Sequence, residues 1–150
     1  MKLSMTYSVK IKRLNRIFMD TVRLYRQAVS FFLDVCLQEW DTISSGNGQK
    51  ERVNLVESFT VASKKNPSVS YDFGADFYKF PCYLRRAAIA EALGKVSSYR
   101  SNLARWEAAD PASRGEKPGL PQAGTVYPAM YRENMFIRTG TYQAALKVFI

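Results

Sequence analysis

Apolar and polar residues alternate without a break from Lys2 to Lys12. Leu3, Met5, Tyr7, Val9 and Ile11 fall on one face, and Lys2, Ser4, Thr6, Ser8, Lys10 and Lys12 on the other. This is the pattern of a half-buried strand with a cationic outer face. The alternation returns at the far end. Residues 134–150 predict a second strand, a turn at Thr139-Gly140-Thr141, and a third strand with Tyr142, Ala144, Leu146, Val148 and Ile150 on one face. A lone hairpin is marginally stable in water, so these strands are expected to join the first in one small sheet, with everything between them inserted.

In the insertion the period changes to threes and fours. The first helix is expected from an N-cap at Asn15 to about Ile43, where Ser44-Ser45-Gly46-Asn47-Gly48 stops it. Its apolar stripe is Phe18, Val22, Tyr25, Val29, Phe32, Cys36, Trp40 and Ile43. Arg16, Arg23 and Arg26 project from nearly the opposite side, interrupted by Asp20. A second helix is expected over Glu51–Lys64, facing inward with Val53, Val56, Phe59 or Thr60, and Ala62 or Ser63. The aromatic stretch 68–80, with Tyr71, Phe73, Phe77, Tyr78 and Phe80, is expected to pack as a loop onto the helices.

A third helix starts at Pro81, whose fixed φ suits a first helical position, and runs to about Ala109. Leu84, Ala88, Ala92, Val96, Leu103 and Trp106 line one side. Gly94 in its middle costs roughly 1 kcal/mol against alanine and points to a bend or a tight contact. A Pro- and Gly-rich linker over 110–124 returns to the sheet. The expected fold class is therefore α+β, with residues 1–14 and 125–150 forming the β part and residues 15–124 a three-helix insertion with its return linker.

Charge narrows the function. Of the 150 residues, 22 are Lys or Arg and 13 are Asp or Glu, a formal net charge of +9. The surplus is uneven: residues 1–26 carry seven cations against one anion, while 27–80 carry five against seven. Such asymmetry points to a polyanion or an acidic membrane surface as partner. Lys10, Lys12 and Arg13 run directly into Arg16, Arg23 and Arg26, so strand and helix would offer one cationic strip. Arg85, Arg86 and Arg100 on the third helix are expected to form a second patch.

Catalytic chemistry is hard to find. The chain has no histidine, which removes the usual general base near neutral pH and the commonest metal ligand. Two cysteines without histidine do not make a zinc site of ordinary composition, so Cys36 and Cys82 are expected to be reduced core thiols. There is no Walker-type loop and no G-x-S-x-G elbow. Asp72 and Asp76, four residues apart on the expected loop, are a candidate carboxylate pair, too few for a metal-dependent nuclease. Neither a signal peptide nor a run of 18 apolar residues is recognisable, and the expected location is cytoplasmic, with no membrane partner. No catalytic residue, metal ligand or cofactor is assigned within the chain.

The order of parts resembles the N-terminal third of TnpB-like proteins. It rests on a basic first strand, a helix containing Arg23-Leu24-Tyr25-Arg26-Gln27-Ala28, and a later Pro81-Cys82-Tyr83-Leu84-Arg85-Arg86-Ala87 helix running through Tyr99-Arg100. Lys117-Pro118-Gly119-Leu120-Pro121 and returning strands follow. These are transposon-encoded RNA-guided nucleases related to type V CRISPR effectors. The resemblance implies a wedge domain, here a partial oligonucleotide-binding-like barrel, interrupted by a helical recognition module. It implies binding of a structured guide RNA, contact with target DNA, and a nuclease domain in cis or in trans that holds the Mg²⁺ and the catalytic carboxylates. Lys10, Lys12, Arg13, Arg16, Arg23 and Arg26 would then contact phosphates, as would Arg85, Arg86 and Arg100, and Tyr131 and Arg132 would stack on a base or cap the sheet. From a different class, the same sequence fits a small basic regulatory protein that binds a protein partner through its apolar helix faces.

Overall fold

Local sequence signals place most of the helix ends. The computed structural model describes residues 15–129, 136–141 and 143–146. α1 spans Arg16–Gln38, and the Asn15 side chain caps it by accepting from the Ile17 N–H at 3.1 Å. The expected stripe is its buried face: Tyr25, Val29, Phe32 and Cys36 lie in the core, joined by Thr21, Ala28, Leu33 and Val35. The helix does not run unbroken to Ile43. Glu39 leaves helical geometry at φ −101° and ψ 17°, and a short α2, Trp40–Ser44, follows.

α3, Gly48–Thr60, starts where the Asn47 N–H donates to the Glu51 carboxylate at 2.8 Å. Arg52 reaches back to the carbonyls of Gly46 and Ser44, at 3.1 and 3.3 Å, and satisfies the open end of α2. α3 stops four residues before the expected Lys64. Continuing it would need the Ser63 N–H on the Phe59 carbonyl. That carbonyl instead accepts from Tyr71 at 3.0 Å, while the Ser63 N–H bonds the Asn66 carbonyl at 2.8 Å. The Ser58 carbonyl, which the helical bond after Val61 would have used, accepts from the Asn66 side-chain amide at 3.0 Å, and Val61 turns extended.

The aromatic stretch packs onto the helices as expected, around a one-turn α4, Phe73–Asp76, capped by Asp72 on the Ala75 N–H. Phe73 stacks on Phe32 at 4.8 Å between ring centroids and on Phe77 at 4.5 Å, and Phe80 meets both Phe73 and Phe77 edge-on. The Tyr71 hydroxyl donates to Glu39 at 3.0 Å, and that carboxylate raises the phenol above its ordinary pKa. The loop is thereby pinned to the C-terminal end of α1.

α5, Cys82–Ala108, follows Pro81, which serves as N-cap rather than first helical residue. It packs along α1 and against α3, so its buried set is broad: Leu84, Ala87, Ala88, Ile89, Ala92, Leu93 and Val96. Leu103 and Trp106 are half-buried, beyond the main core. Gly94 is exposed, and a Cβ there would meet nothing within 4 Å, so no tight contact explains it. Of the two thiols, Cys36 is buried and Cys82 exposed, the latter against expectation. At the end of α5 the Trp106 indole donates to the Gly115 carbonyl at 2.7 Å, and Arg114 lies 4.0 Å over its ring.

β1, Phe136–Arg138, and β2, Ala144–Leu146, form an antiparallel pair in the register Phe136↔Leu146, Ile137↔Ala145, Arg138↔Ala144. The hairpin turns at Thr139-Gly140-Thr141, as the pattern predicts, with the Thr139 and Gly140 N–H groups on the Gln143 carbonyl. The described fold is thus mostly helical, with one two-stranded antiparallel sheet. The expected strand Lys2–Lys12 lies outside the described residues. Among the described residues no helix is long and apolar enough to cross a membrane.

Candidate nucleic-acid interface

A helix turns about 100° per residue, so Arg16, Asp20, Arg23, Gln27, Ser30 and Asp34 share one face of α1, opposite the buried stripe. Arg16 and Arg23 stand out from it, with 92% and 69% of their side chains exposed. Both lean on Asp20, at 3.8 and 3.3 Å. One exposed carboxylate shared by two arginines leaves an uncompensated charge, and surface pairs of this kind contribute only about 0–1 kcal/mol. The two guanidiniums are therefore free to exchange Asp20 for another anion.

Arg26 behaves differently. Its Nε donates to the Val126 carbonyl at 3.0 Å, and its guanidinium lies 5.1 Å from the centre of the Tyr127 ring. It fastens the return linker to α1. Tyr127 itself is 70% exposed. Between α1 and the linker residues Pro121–Gly124 runs an open groove of about 770 Å³. Val22 and Leu33 line its apolar side, Arg23 and Arg26 with Asp20 one end, and Asp34 the other end, with Gln122 on the linker.

The α5 arginines do not form one patch. Arg85 puts Nε and Nη2 on the Glu57 carboxylate, at 3.4 and 3.1 Å, and Arg86 takes its other oxygen at 3.1 Å and Asn54 at 2.8 Å. Arg85 and Glu57 are each about four-fifths buried, so this is an interhelical tie between α5 and α3. Arg100, some 21 Å along the helix by its rise per residue, donates to the Leu37 carbonyl at 3.3 Å and closes the C-terminal turn of α1. Replacing Glu57 with alanine leaves two guanidiniums side by side without their counter-charge, an expected loss of about 2 kcal/mol. A urea midpoint unchanged by Glu57→Ala would show the pair to be structurally idle.

Lys10, Lys12, Arg13, Tyr131 and Arg132 lie outside the described residues. Sequence reading passed over Tyr127 and Asp34. Asp34 was discoverable, being eleven residues from Arg23 and so on its face, whereas Tyr127 is brought to α1 by tertiary contacts a hundred residues apart in sequence, the Arg26–Val126 bond and the packing of Val126 on the core. Among the described residues no group of three or more Cys, Asp or Glu is placed to hold a metal ion.

The model of the Aq_aa04 family matches residues 5–150. A protein of Aquifex aeolicus (strain VF5), described as "Uncharacterized protein aq_aa04", is 29% identical over 121 residues, covering 73% of this chain and 68% of the relative. No solved structure matches.

Proposed function

We propose that this chain, which belongs to the Aq_aa04 family, binds a structured RNA through its phosphate backbone. The observation that carries the reading is the pair Arg16 and Arg23, projecting from α1 with a single carboxylate between them, immediately after Lys10, Lys12 and Arg13. Arginine held loosely by a surface partner suits the backbone phosphate, whose two free oxygens accept its fork of donors, and a polyanion presents many such groups and releases counterions on binding. Arg85, Arg86 and Arg100 are occupied by partners within the fold and take a structural part.

The resemblance to TnpB-like proteins makes the RNA a guide. On that reading the Lys2–Lys12 strand joins the β1–β2 hairpin in an oligonucleotide-binding-like barrel, and residues 15–124 are the recognition module. Target DNA and a nuclease domain in cis or in trans would be further partners, with Mg²⁺ bound in that domain. Against the regulatory-protein alternative stands the burial of the apolar faces it needs. Tyr25, Val29 and Phe32 of α1 and Leu84, Ile89 and Val96 of α5 are enclosed in the protein's own core.

The test is RNA affinity across a salt series. Wild type is expected to lose affinity steeply as salt rises. Reversing both charges, Arg16→Glu with Arg23→Glu, is expected to weaken binding about 100-fold and to flatten the log–log salt slope by about two, one per phosphate contact. The helical circular dichroism should stay unchanged, since both side chains are exposed. Undiminished affinity in the double variant would remove α1 from the interface.

A further inference from the structure

The groove beside Arg23 and Arg26 is built unlike a surface that reads only phosphates, because its charge changes sign along α1. Arg23 and Arg26 stand toward one end, with Asp20, the partner of Arg23, beside them, and Asp34 stands at the other, with neutral Gln27 and Ser30 between. Eight residues separate Arg26 from Asp34, about 12 Å along the helix. That is the reach of one nucleotide from its phosphate to the far edge of its base. The groove's volume of about 770 Å³ falls in the range of small-molecule sites, roughly 300–1,000 Å³. Leu33 and Pro121 give it apolar walls against which a flat ring can lie.

We infer that this groove takes one unpaired guanine nucleotide of the bound RNA, its phosphate on Arg23 and Arg26 and its base edge on Asp34. The inference rests on the RNA-binding reading above and names the nucleotide that reading leaves open. An ionised carboxylate only accepts hydrogen bonds. Among the bases, guanine alone presents two adjacent donors, N1–H and the exocyclic amine, to both of its oxygens. Adenine offers the carboxylate one donor beside a ring nitrogen that repels it. Arg26 keeps its terminal nitrogens for phosphate, since the bond to Val126 uses only Nε. Tyr127, exposed beside Arg26, offers a face for the base of the neighbouring nucleotide. This second platform favours a chain over a free nucleotide.

Three fluorescent RNA probes test this by anisotropy at one salt concentration: a blunt duplex, the same stem with one unpaired guanine, and the same stem with one unpaired adenine. The guanine probe is expected to bind about tenfold tighter than the adenine probe, the discrimination of a bidentate pair. In Asp34→Asn, which replaces one acceptor by a donor, that ratio should fall to about one. Equal affinity for all three probes would overturn the guanine groove while leaving RNA binding standing. Failure to bind any of them would overturn the RNA reading itself. Guanosine monophosphate alone is the last arm, read by amide shifts at Asp34, Gln122 and Tyr127. Saturable shifts from it without binding of any RNA probe would assign the groove to a free nucleotide and overturn both statements.

Discussion

Replacing Phe32 with alanine is expected to destabilise the protein by about 4 kcal/mol. Its ring is completely buried, stacks on Phe73 and meets Phe31 edge-on at 5.4 Å. Truncation removes the transfer free energy of the ring and leaves a cavity whose walls are themselves aromatic and cannot close over it. The loss is compounded because Phe73 is the centre of the loop cluster, stacked in turn on Phe77 and touching Phe80. Without Phe32 the segment carrying α4 keeps only the edge contacts of Phe31 with Phe73 and Phe77 and the Tyr71 hydrogen bond to hold it on α1. In a chain of this length each kcal/mol corresponds to about 3 °C, so the melting temperature should fall by about 12 °C. Phe77→Ala is the useful comparison, since Phe77 is only half-buried and its removal should cost clearly less. Equal losses for the two would mean that Phe32 does not organise the cluster.

The second large effect is alkaline. Burial pushes the Cys36 thiol from an ordinary 9.0 to about 12, because α1 and α5 enclose it among apolar side chains that do not solvate a thiolate. The sign follows from proton binding. Below pH 9 both folded and unfolded chains hold the proton, and the contribution is complete. Between pH 9 and 12 the unfolded chain has released it and the folded chain has not, so stability falls as pH rises, by about 1.4 kcal/mol per unit. Over the whole window the loss is on the order of 4 kcal/mol. Tyrosines and lysines also titrate there, so the readout is the difference between wild type and Cys36→Ala. At neutral pH the alanine variant should be the weaker of the two, and by about pH 11 it should equal or exceed wild type. Parallel stability curves across that range would show that the thiol ionises in place without penalty. Cys82, exposed at the start of α5, serves as the internal control: it should react with a thiol reagent in the native protein, and Cys36 only after unfolding.

Much of the helical framework was legible because its signals are local. Asn15 before an apolar stripe at threes and fours, Pro81 before another, and Thr139-Gly140-Thr141 between alternating segments each fix dihedrals or hydrogen bonds within a few residues of themselves. The aromatic run was legible as packing for a related reason, since so many large rings in thirteen residues need cover, and all but Tyr78 find it. The candidate interface was legible in part. Arg16 and Arg23 are where a helical wheel puts them, and Asp34, unnoticed, lies on the same wheel.

What the sequence by itself determined is therefore the three long helical segments, the closing hairpin and the two faces of α1, one apolar and one charged. Tertiary structure decided where elements stop and which charges remain available. α3 ends at Thr60 because Asn66 and Tyr71 take the carbonyls of Ser58 and Phe59, which the next helical turn would have used. Arg85 and Arg86 are paired with Glu57, twenty-eight residues before the first of them, and Arg100 with a carbonyl sixty-three residues away, while Arg26 gives only its Nε to a carbonyl a hundred residues away. A guanidinium on a helix carries the same charge whether it faces solvent or a carboxylate. Only the placement of its partner, which no local pattern encodes, separates a residue that binds the fold from one that binds a ligand.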